Sequence, residues 1–193
     1  MHFEELKKYH FILASKSPRR QFLLKDLGLD FEVVTRDVDE SFPEHLKAEQ
    51  IPLYLCEKKA RAFDEELNDN TIVITADTIV WIDDHVLNKP ENYEDAVRML
   101  TLLSGRMHKV FTGVCLKSNE KMILFYVVTN VYFKKITPEE IDYYIRNFHP
   151  FDKAGAYGAQ EWIGYIAVEK IEGSYFNVMG LPLKELYEEL LKF

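Results

Sequence analysis

The segment Ser15–Arg20 concentrates groups that bind phosphate: two hydroxyls, one ammonium group and two guanidinium groups. Guanidinium groups match the oxygens of a phosphate and can bond to them in pairs. The segment also lies where a helix is expected to begin, and the first turn of a helix offers unpaired N–H groups and a partial positive charge. We therefore interpret Ser15, Arg19 and Arg20 as a phosphate clamp. The alternative is that Arg19 and Arg20 form a solvated helix face.

Acidic side chains and two lysines occur where they can complete a phosphate site. Glu40, with Asp39 beside it, follows a short predicted strand, and Asp77 follows a strongly apolar one. A carboxylate among apolar neighbours is costly to bury without a cation or a shared proton. Together with the cations Lys59 and Lys89, these acids suit metal-assisted attack on a phosphoanhydride. The alternative is that the acidic loop and both lysines are simply solvated.

The clamp is predicted to lie between a strand and a helix. Phe11–Leu13 is an apolar run of strand length. Ser17 can cap the helix that follows, Pro18 fits its first turn, and leucines recur at helical spacing until Gly28 ends it. Phe31–Val34 then predicts a second short strand.

Asp77 is expected at the carboxyl end of a buried strand. Thr71–Ala76 is strongly apolar, and a strand-like sequence resumes at Ile79–Ile82. In open α/β sheets, ligands bind at the carboxyl ends of the strands. Upstream, Ile51–Leu67 is predicted to be a helix that carries Lys59 near its apolar face.

The rest of the chain keeps alternating between strands and helices, which predicts an α/β fold. Asn92 caps a predicted helix that Ser104 and Gly105 close, and Thr137 opens another helix with a capping box. The other predicted elements are a hairpin of Met107–Leu116 and Met122–Phe133, and a final amphipathic helix through Leu183, Leu186, Leu190 and Leu191.

The segment Asp152–Gln160 consists of small residues with polar residues at both ends. Its glycines permit close approach of the backbone to a ligand, and the amide of Gln160 can bond to a base edge. A plain loop explains the same pattern equally well.

Composition and absent motifs exclude several classes of function. The net charge of −8 disfavours a general DNA or RNA binder. No apolar run approaches the roughly 18 residues of a membrane span, and Met1–His10 lacks an apolar signal region, so we expect a cytoplasmic protein with no membrane partner. Cys56 and Cys115 are expected to be reduced and apolar. The glycine-rich phosphate loops and the serine nucleophile motif are absent, and the histidines show no metal-binding spacing.

Seven motifs carry a family resemblance. They are Leu13–Arg20, Ala76–Thr78, Lys89–Pro90, Leu103–Arg106, Thr112–Val114, Asp152–Gly158 and Asn177–Leu183. Together they resemble the Maf family of nucleoside triphosphate pyrophosphatases. The resemblance implies a mixed α/β fold like that of inosine triphosphatases, in which an elongated mixed sheet is flanked by helices and two lobes surround a central cleft. A single domain over residues 1–193 is expected.

The same resemblance implies an activity and a set of roles. The activity is hydrolysis of a nucleoside triphosphate to the monophosphate and pyrophosphate with Mg²⁺ or Mn²⁺. The Ala-Asp-Thr and Gly-Ala-Tyr-Gly sequences resemble the branch that acts on dTTP and UTP. Asp77 would accept the proton. Our own hypothesis is that Asp77 and Glu40 hold the metal, so that Asp77 acts as the base, as a metal ligand or as both. Ser15, Arg19, Arg20, Lys59 and Lys89 would bind the phosphates, and Arg19, Thr78 and Gln160 would set the base specificity.

The sequence differs from the family pattern near the expected substrate edge. Asn88 replaces a glycine before Lys-Pro, Phe148–Pro150 replaces Gly-Glu-Pro, and Ala159 and Glu161 flank Gln160 where Ile and Gly are common. The expected partner is a nucleoside triphosphate, and a homodimer remains open. The alternative hypothesis is a nucleotide-binding regulator of cell division, because the family has been associated with inhibition of septum formation. Such a regulator would bind the triphosphate without hydrolysing it.

Overall fold

The structure is a computed structural model that describes residues 3–65 and 67–193. Its α-helices are Phe3–Leu6 (α1), Pro18–Asp26 (α2), Gln50–Arg61 (α3), Tyr93–Leu103 (α4), Pro138–Phe148 (α5), Trp162–Ala167 (α6), Tyr175–Met179 (α7) and Leu183–Leu190 (α8). Its strands are His10–Leu13 (β1), Phe31–Val33 (β2), Thr71–Ile82 (β3), His85–Leu87 (β4), Met107–Lys117 (β5), Met122–Phe133 (β6) and Val168–Glu172 (β7). Two single-turn 3₁₀ helices, Pro150–Asp152 and Ala154–Ala156, follow α5.

The strands form one mixed sheet in the order β2-β1-β3-β5-β6-β7, and β4 pairs with β3. β1 is parallel to both β2 and β3, with Leu13 opposite Val33 and Ile74. The β3–β4 and β6–β7 pairs are antiparallel. The predicted α/β class with a mixed sheet is confirmed.

Side-chain caps begin two of the helices as predicted. Asn92 accepts a hydrogen bond from the Asp95 N–H at 2.9 Å. Thr137 and Glu140 form both bonds of a capping box. Ser17 occupies the capping position of α2, but its side chain makes no capping bond. Instead, the Ser17 N–H donates to Ser15 Oγ at 3.2 Å.

Two element boundaries differ from the sequence prediction. Helix α3 ends at Arg61, six residues before the predicted end at Leu67. The chain turns there because Phe63 packs against Ile12 and Val73. In contrast, β3 continues through Asp77 as a single strand, where the sequence predicted an interruption. Helices α1, α6 and α7 and strands β4 and β7 were not predicted from the sequence.

The chain divides into two compact units. The first comprises the described residues up to Asp77, together with Thr112–Val127 and Gly180–Phe193. The second comprises Thr78–Phe111 and Val128–Met179. Fully buried side chains of the first unit include Phe11, Leu13, Leu23, Leu24, Ile72 and Ile74. The second unit packs α4 and α5 around buried residues such as Leu100, Leu103, Ile141, Tyr144 and Ile163.

Both cysteines lie in the first unit as buried, free thiols, as the sequence predicted. They pack with Ala60 and Met122. Burial raises the pKa of the Cys115 thiol to about 12, and burial also raises the pKa of Cys56. Both therefore remain protonated near neutral pH and are poor nucleophiles.

His108 is a buried titratable group in the second unit. Its ring packs edge-on against Phe133 and Tyr157, and its Nε2 lies 2.7 Å from the Tyr157 hydroxyl. Its Nδ1 has no hydrogen-bond partner among the described residues. Burial lowers the pKa of His108 from 6.5 to about 3, so the folded protein keeps this imidazole neutral.

This burial predicts an acid-sensitive stability. Between pH 6.5 and 3 the unfolded chain protonates His108 while the folded chain does not. The free energy of unfolding should therefore fall by up to about 1.4 kcal/mol for each pH unit below 6.5 through this group. Urea unfolding at pH 7, 6 and 5 should show a smaller decline for a His108→Gln variant. Equal declines in the two proteins would contradict the prediction.

Candidate phosphate and metal site

Asp77, Lys59 and Glu40 form a connected charge cluster in the first unit. The Lys59 ammonium group lies 2.5 Å from Asp77 Oδ1 and 2.8 Å from Glu40 Oε1. The side chains of Asp77 and Lys59 are 15% and 17% exposed, whereas that of Glu40 is 52% exposed. The cluster thus extends from a largely buried carboxylate, Asp77, to a solvent-accessible one, Glu40. A small charged ligand can therefore reach the cluster from solvent.

The backbone around the cluster holds α3 against β3. Thr75 is buried in β3, two residues before Asp77, and its hydroxyl donates to the Cys56 carbonyl oxygen at 2.6 Å. Cys56 lies one helical turn before Lys59 on α3. This bond therefore brings the last turn of α3 and the Asp77 position of β3 together, which places Lys59 on the carboxylate.

Arg20 lies within the electrostatic reach of the same cluster. Its Nε donates to the Gly180 carbonyl oxygen at 2.8 Å. Burial lowers the pKa of the Arg20 guanidinium, whereas the negative charges of Asp77 and Glu40 act in the opposite direction. Because a guanidinium group remains protonated in proteins, Arg20 contributes a fixed positive charge within electrostatic reach of Asp77.

The remaining clamp residues lie in the turn between β1 and α2. Ser15 is buried, and its Oγ accepts the Ser17 N–H. The Ser15 carbonyl oxygen accepts a hydrogen bond from the Gln21 side chain at 3.1 Å, which ties the turn to α2. Arg19 is half-buried in the first turn of that helix.

Asp39 makes a separate ion pair. Its carboxylate accepts hydrogen bonds from the Ser41 N–H and hydroxyl, and it lies 3.1 Å from Lys58 Nζ. The Ser41 bonds, with help from Lys58, lower the pKa of Asp39 to about 2. The structure thus pairs Asp39 with Lys58, and it pairs the next residue of each segment, Glu40, with Lys59.

Three predicted site residues belong to the second unit. Thr78 follows Asp77 along β3 and is half-buried. Lys89 is exposed in the loop after β4, and Gln160 is half-buried after the second 3₁₀ helix. The Gly155 N–H donates to the Asn88 carbonyl oxygen at 3.1 Å, so the Lys89 loop is bonded to the glycine-rich segment. Gly155 has φ +67°, and a Cβ at this position would lie 2.8 Å from Val80, so a glycine is needed here.

A buried charge network lies next to Gln160, and no role was predicted for it from the sequence. Lys153 is 8% exposed and pairs with Asp152 at 2.6 Å and with Glu161 at 3.0 Å. The Tyr144 hydroxyl donates to the other oxygen of Glu161. Burial raises the pKa of Tyr144, which keeps this hydroxyl protonated as a donor. The sequence signal was a lysine embedded among small residues, with a glutamate eight positions later.

The donor set fits a divalent cation that is shared with a phosphate ligand. Within residues 3–65 and 67–193, no three His, Cys, Asp or Glu side chains are arranged to hold a metal ion by themselves. Asp77 and Glu40 nevertheless bring two carboxylates to one point, the Lys59 ammonium group. Mg²⁺ commonly binds one or two protein carboxylates together with phosphate oxygens and waters.

None of the described helices combines the length and apolar character needed to cross a membrane.

Comparison with known proteins places the chain among close relatives. It is 54% identical over 187 residues to a dTTP/UTP pyrophosphatase of Flavobacterium johnsoniae, covering 97% of this chain and 96% of the relative. It is 52% identical over 191 residues to a dTTP/UTP pyrophosphatase of Parabacteroides distasonis, covering 98% and 99% of the two chains.

Among solved structures, the Staphylococcus aureus Ham1 protein has a similar fold. The TM-score is 0.52 at 14% identity, and the match covers 93% of this chain and 99% of the Ham1 chain. The family described as Maf-like protein matches residues 10–193. The chain therefore belongs to the Maf family.

Proposed function

We propose that this protein hydrolyses dTTP and UTP to the nucleoside monophosphate and pyrophosphate with the help of a divalent cation. The observation that carries the proposal is the contact of Lys59 with both Asp77 and Glu40, with Arg20 in electrostatic reach. Paired carboxylates with adjacent fixed cations suit attack on a phosphoanhydride. Relatives that are 52–54% identical over nearly the whole chain and are named dTTP/UTP pyrophosphatases support this substrate class.

The protein's own residues divide the chemical work. Asp77 takes the proton of the attacking water, or it binds the cation together with Glu40, and one carboxylate can serve both purposes. A bound Mg²⁺ or Mn²⁺ would neutralise phosphate charge at these two carboxylates. Arg20 and Lys59 stabilise the negative charge that develops on the departing pyrophosphate, because fixed cations do not have to reorganise during the reaction.

The other predicted residues bind and select the substrate. Ser15 and the first turn of α2 offer hydroxyl and N–H donors to a phosphate. Lys89 adds a further cation for the phosphates. Arg19, Thr78 and Gln160 select the base, and the Gln160 amide can donate to and accept from a pyrimidine edge.

A pyrophosphate-release assay with a panel of triphosphates tests the proposal. We expect release from dTTP and UTP with Mg²⁺ or Mn²⁺, and much slower release from dATP, GTP and ITP. Binding of dTTP without release would contradict hydrolysis and would favour the regulatory alternative.

Two adjacent lysines provide matched variants for the same assay. Lys59 contacts Asp77 and Glu40, whereas Lys58 contacts Asp39. We expect Lys59→Met to lower kcat/KM for dTTP by roughly 50-fold, because a charge next to the reacting phosphates is lost. Lys58→Met should stay within about twofold of the parent. Equal losses in the two variants would show that Lys59 has no special part in the reaction.

A further inference from the structure

The segment Gly158–Glu161, which carries Gln160, is held at both ends by one hydrogen-bond network. At one end, the Gly158 N–H donates to the Tyr144 hydroxyl oxygen at 3.1 Å. At the other end, the Glu161 carboxylate accepts from the same tyrosine and pairs with Lys153. Tyr144 therefore bridges the two ends of the segment through a single oxygen atom.

The backbone of Gln160 is fixed between these ends. The Glu161 N–H donates to the Gly158 carbonyl oxygen at 3.0 Å, which closes a tight turn around Gln160. The Tyr165 hydroxyl donates to the Gln160 carbonyl oxygen at 2.7 Å. With both ends of the turn and its own carbonyl oxygen held, the backbone of Gln160 is fixed, and its side chain keeps its torsional freedom.

The side chain of Glu161 also lies close to the amide of Gln160. A Cβ built on Gly158 would be 2.9 Å from Glu161 Cδ and 3.0 Å from Gln160 Nε2. The two side chains therefore both border the small space next to the Gly158 Cα. Because this position is a glycine, the carboxylate and the amide can both approach the backbone here.

The negative charge of Glu161 compensates the buried positive charge of Lys153. Lys153 is 8% exposed, and its other partner, Asp152, has a side chain that is 58% exposed. A buried ammonium group needs a well-placed anion, and removing one partner of a buried pair leaves an uncompensated charge. Loss of Glu161 would therefore release Lys153 and one end of the turn together.

We propose that Glu161 is a positioning residue for base selection: through Tyr144 and Lys153 it fixes the backbone turn from which the Gln160 amide extends. This inference rests on the proposed function, in which Gln160 contacts the base. It predicts that Glu161 affects the choice between bases, and that it has little effect on the phosphate chemistry of residues such as Asp77.

The test uses an isosteric variant, Glu161→Gln, with kcat and KM measured for UTP, dTTP and CTP. We expect the preference for UTP over CTP to fall about tenfold, mainly through KM for UTP, while kcat for UTP stays within about twofold. Glu172→Gln is the matched control, because Glu172 likewise accepts from a lysine, Lys170, and from a tyrosine, Tyr132. This control should keep the parent preference.

A double variant separates positioning from general structural support. If Glu161 acts through Gln160, then Glu161→Gln should not change the UTP-to-CTP preference further in a Gln160→Ala background. A preference that falls by the same factor in both backgrounds would overturn the proposal. So would a Glu161→Gln single variant that keeps the parent preference and only unfolds at a lower temperature.

Two further results separate this inference from the proposed function. If Glu161→Gln does not fold, a Tyr144→Phe variant, which lacks the bridging hydroxyl, can be tested in its place. An unchanged UTP-to-CTP preference in Tyr144→Phe would overturn the positioning role of Glu161. An unchanged preference in Gln160→Ala would instead overturn the assignment of Gln160. Of these results, only failure of the parent protein to hydrolyse UTP would also overturn the pyrophosphatase proposal.

Discussion

An Asp77→Asn variant is expected to release pyrophosphate from dTTP about 10³-fold more slowly than the parent protein, mainly through kcat. The amide cannot accept the proton of the attacking water at neutral pH, and it is a poorer ligand for a divalent cation. Folding should be preserved, because Lys59 retains its contact with Glu40 at 2.8 Å. Rates and urea unfolding curves of the purified variant measure the two effects separately.

Asp64→Asn is the matched control for this variant. Asp64 lies in the same unit, and its Oδ1 forms an ion pair with Lys117 Nζ at 2.9 Å. The side chain of Lys117 is 14% exposed. The control therefore loses a carboxylate that is likewise paired with a largely buried lysine, and we expect it to keep the parent kcat within about twofold. An Asp77→Asn protein that hydrolyses dTTP at the parent rate would refute the role of Asp77.

A Gly164→Ala variant is expected to lose about 3 kcal/mol of unfolding free energy. A Cβ at this position of α6 would lie 2.0 Å from the Ala159 carbonyl oxygen and 2.5 Å from its carbonyl carbon. Backbone atoms cannot move away as a flexible side chain can, so the helix or the Ala159 segment must shift. At an unobstructed helical position, the same change would stabilise the protein by up to about 1 kcal/mol.

Urea unfolding with a control in the same helix checks this second expectation. Tyr165 is 75% exposed, and Tyr165→Ala removes its side chain without introducing a clash. Tyr165→Ala should lower the free energy of unfolding by about 1 kcal/mol, the usual net contribution of a single hydrogen bond. A Gly164→Ala protein as stable as the parent would contradict the close packing of α6 against Ala159.

The elements around the first unit's charge cluster were largely predictable, because local rules place them. Apolar runs of strand length gave β1 and much of β3, and Pro18 with the following leucines gave α2. The contact between Lys59 and Asp77 was not visible in the sequence. It depends on how α3 packs against β3, and the spacing of apolar residues within each element does not show which elements pack together.

Tertiary contacts explain the boundaries that the sequence missed. Nothing in the sequence after Arg61 stops a helix, yet burial of Phe63 beside Val73 turns the chain. Conversely, Asp77 does not interrupt β3, because Lys59 neutralises its charge within the strand. In both places a long-range contact overrides the local preference.

Helix α6 and the Lys153 network were missed for a related reason. Trp162–Ala167 contains aromatic and β-branched residues around a glycine, a composition that argues against a helix. In the sequence, Lys153 looks like an ordinary loop lysine. The residues of its network, Tyr144 and Glu161, lie nine positions before it and eight positions after it, so the sequence does not show that they meet. Burial of a charge can be recognised only when the counter-charge is in place.

The hydrogen bond from Arg20 to the Gly180 carbonyl oxygen joins positions that are 160 residues apart in the chain. During synthesis, the ribosome makes Arg20 early, but its acceptor emerges only after residue 180 has left the exit tunnel. A nascent polypeptide therefore cannot form this bond before residue 180 has been synthesised. Under the proposed function, a growing chain that still lacks Gly180 would be without one of the contacts that hold Arg20 within electrostatic reach of Asp77.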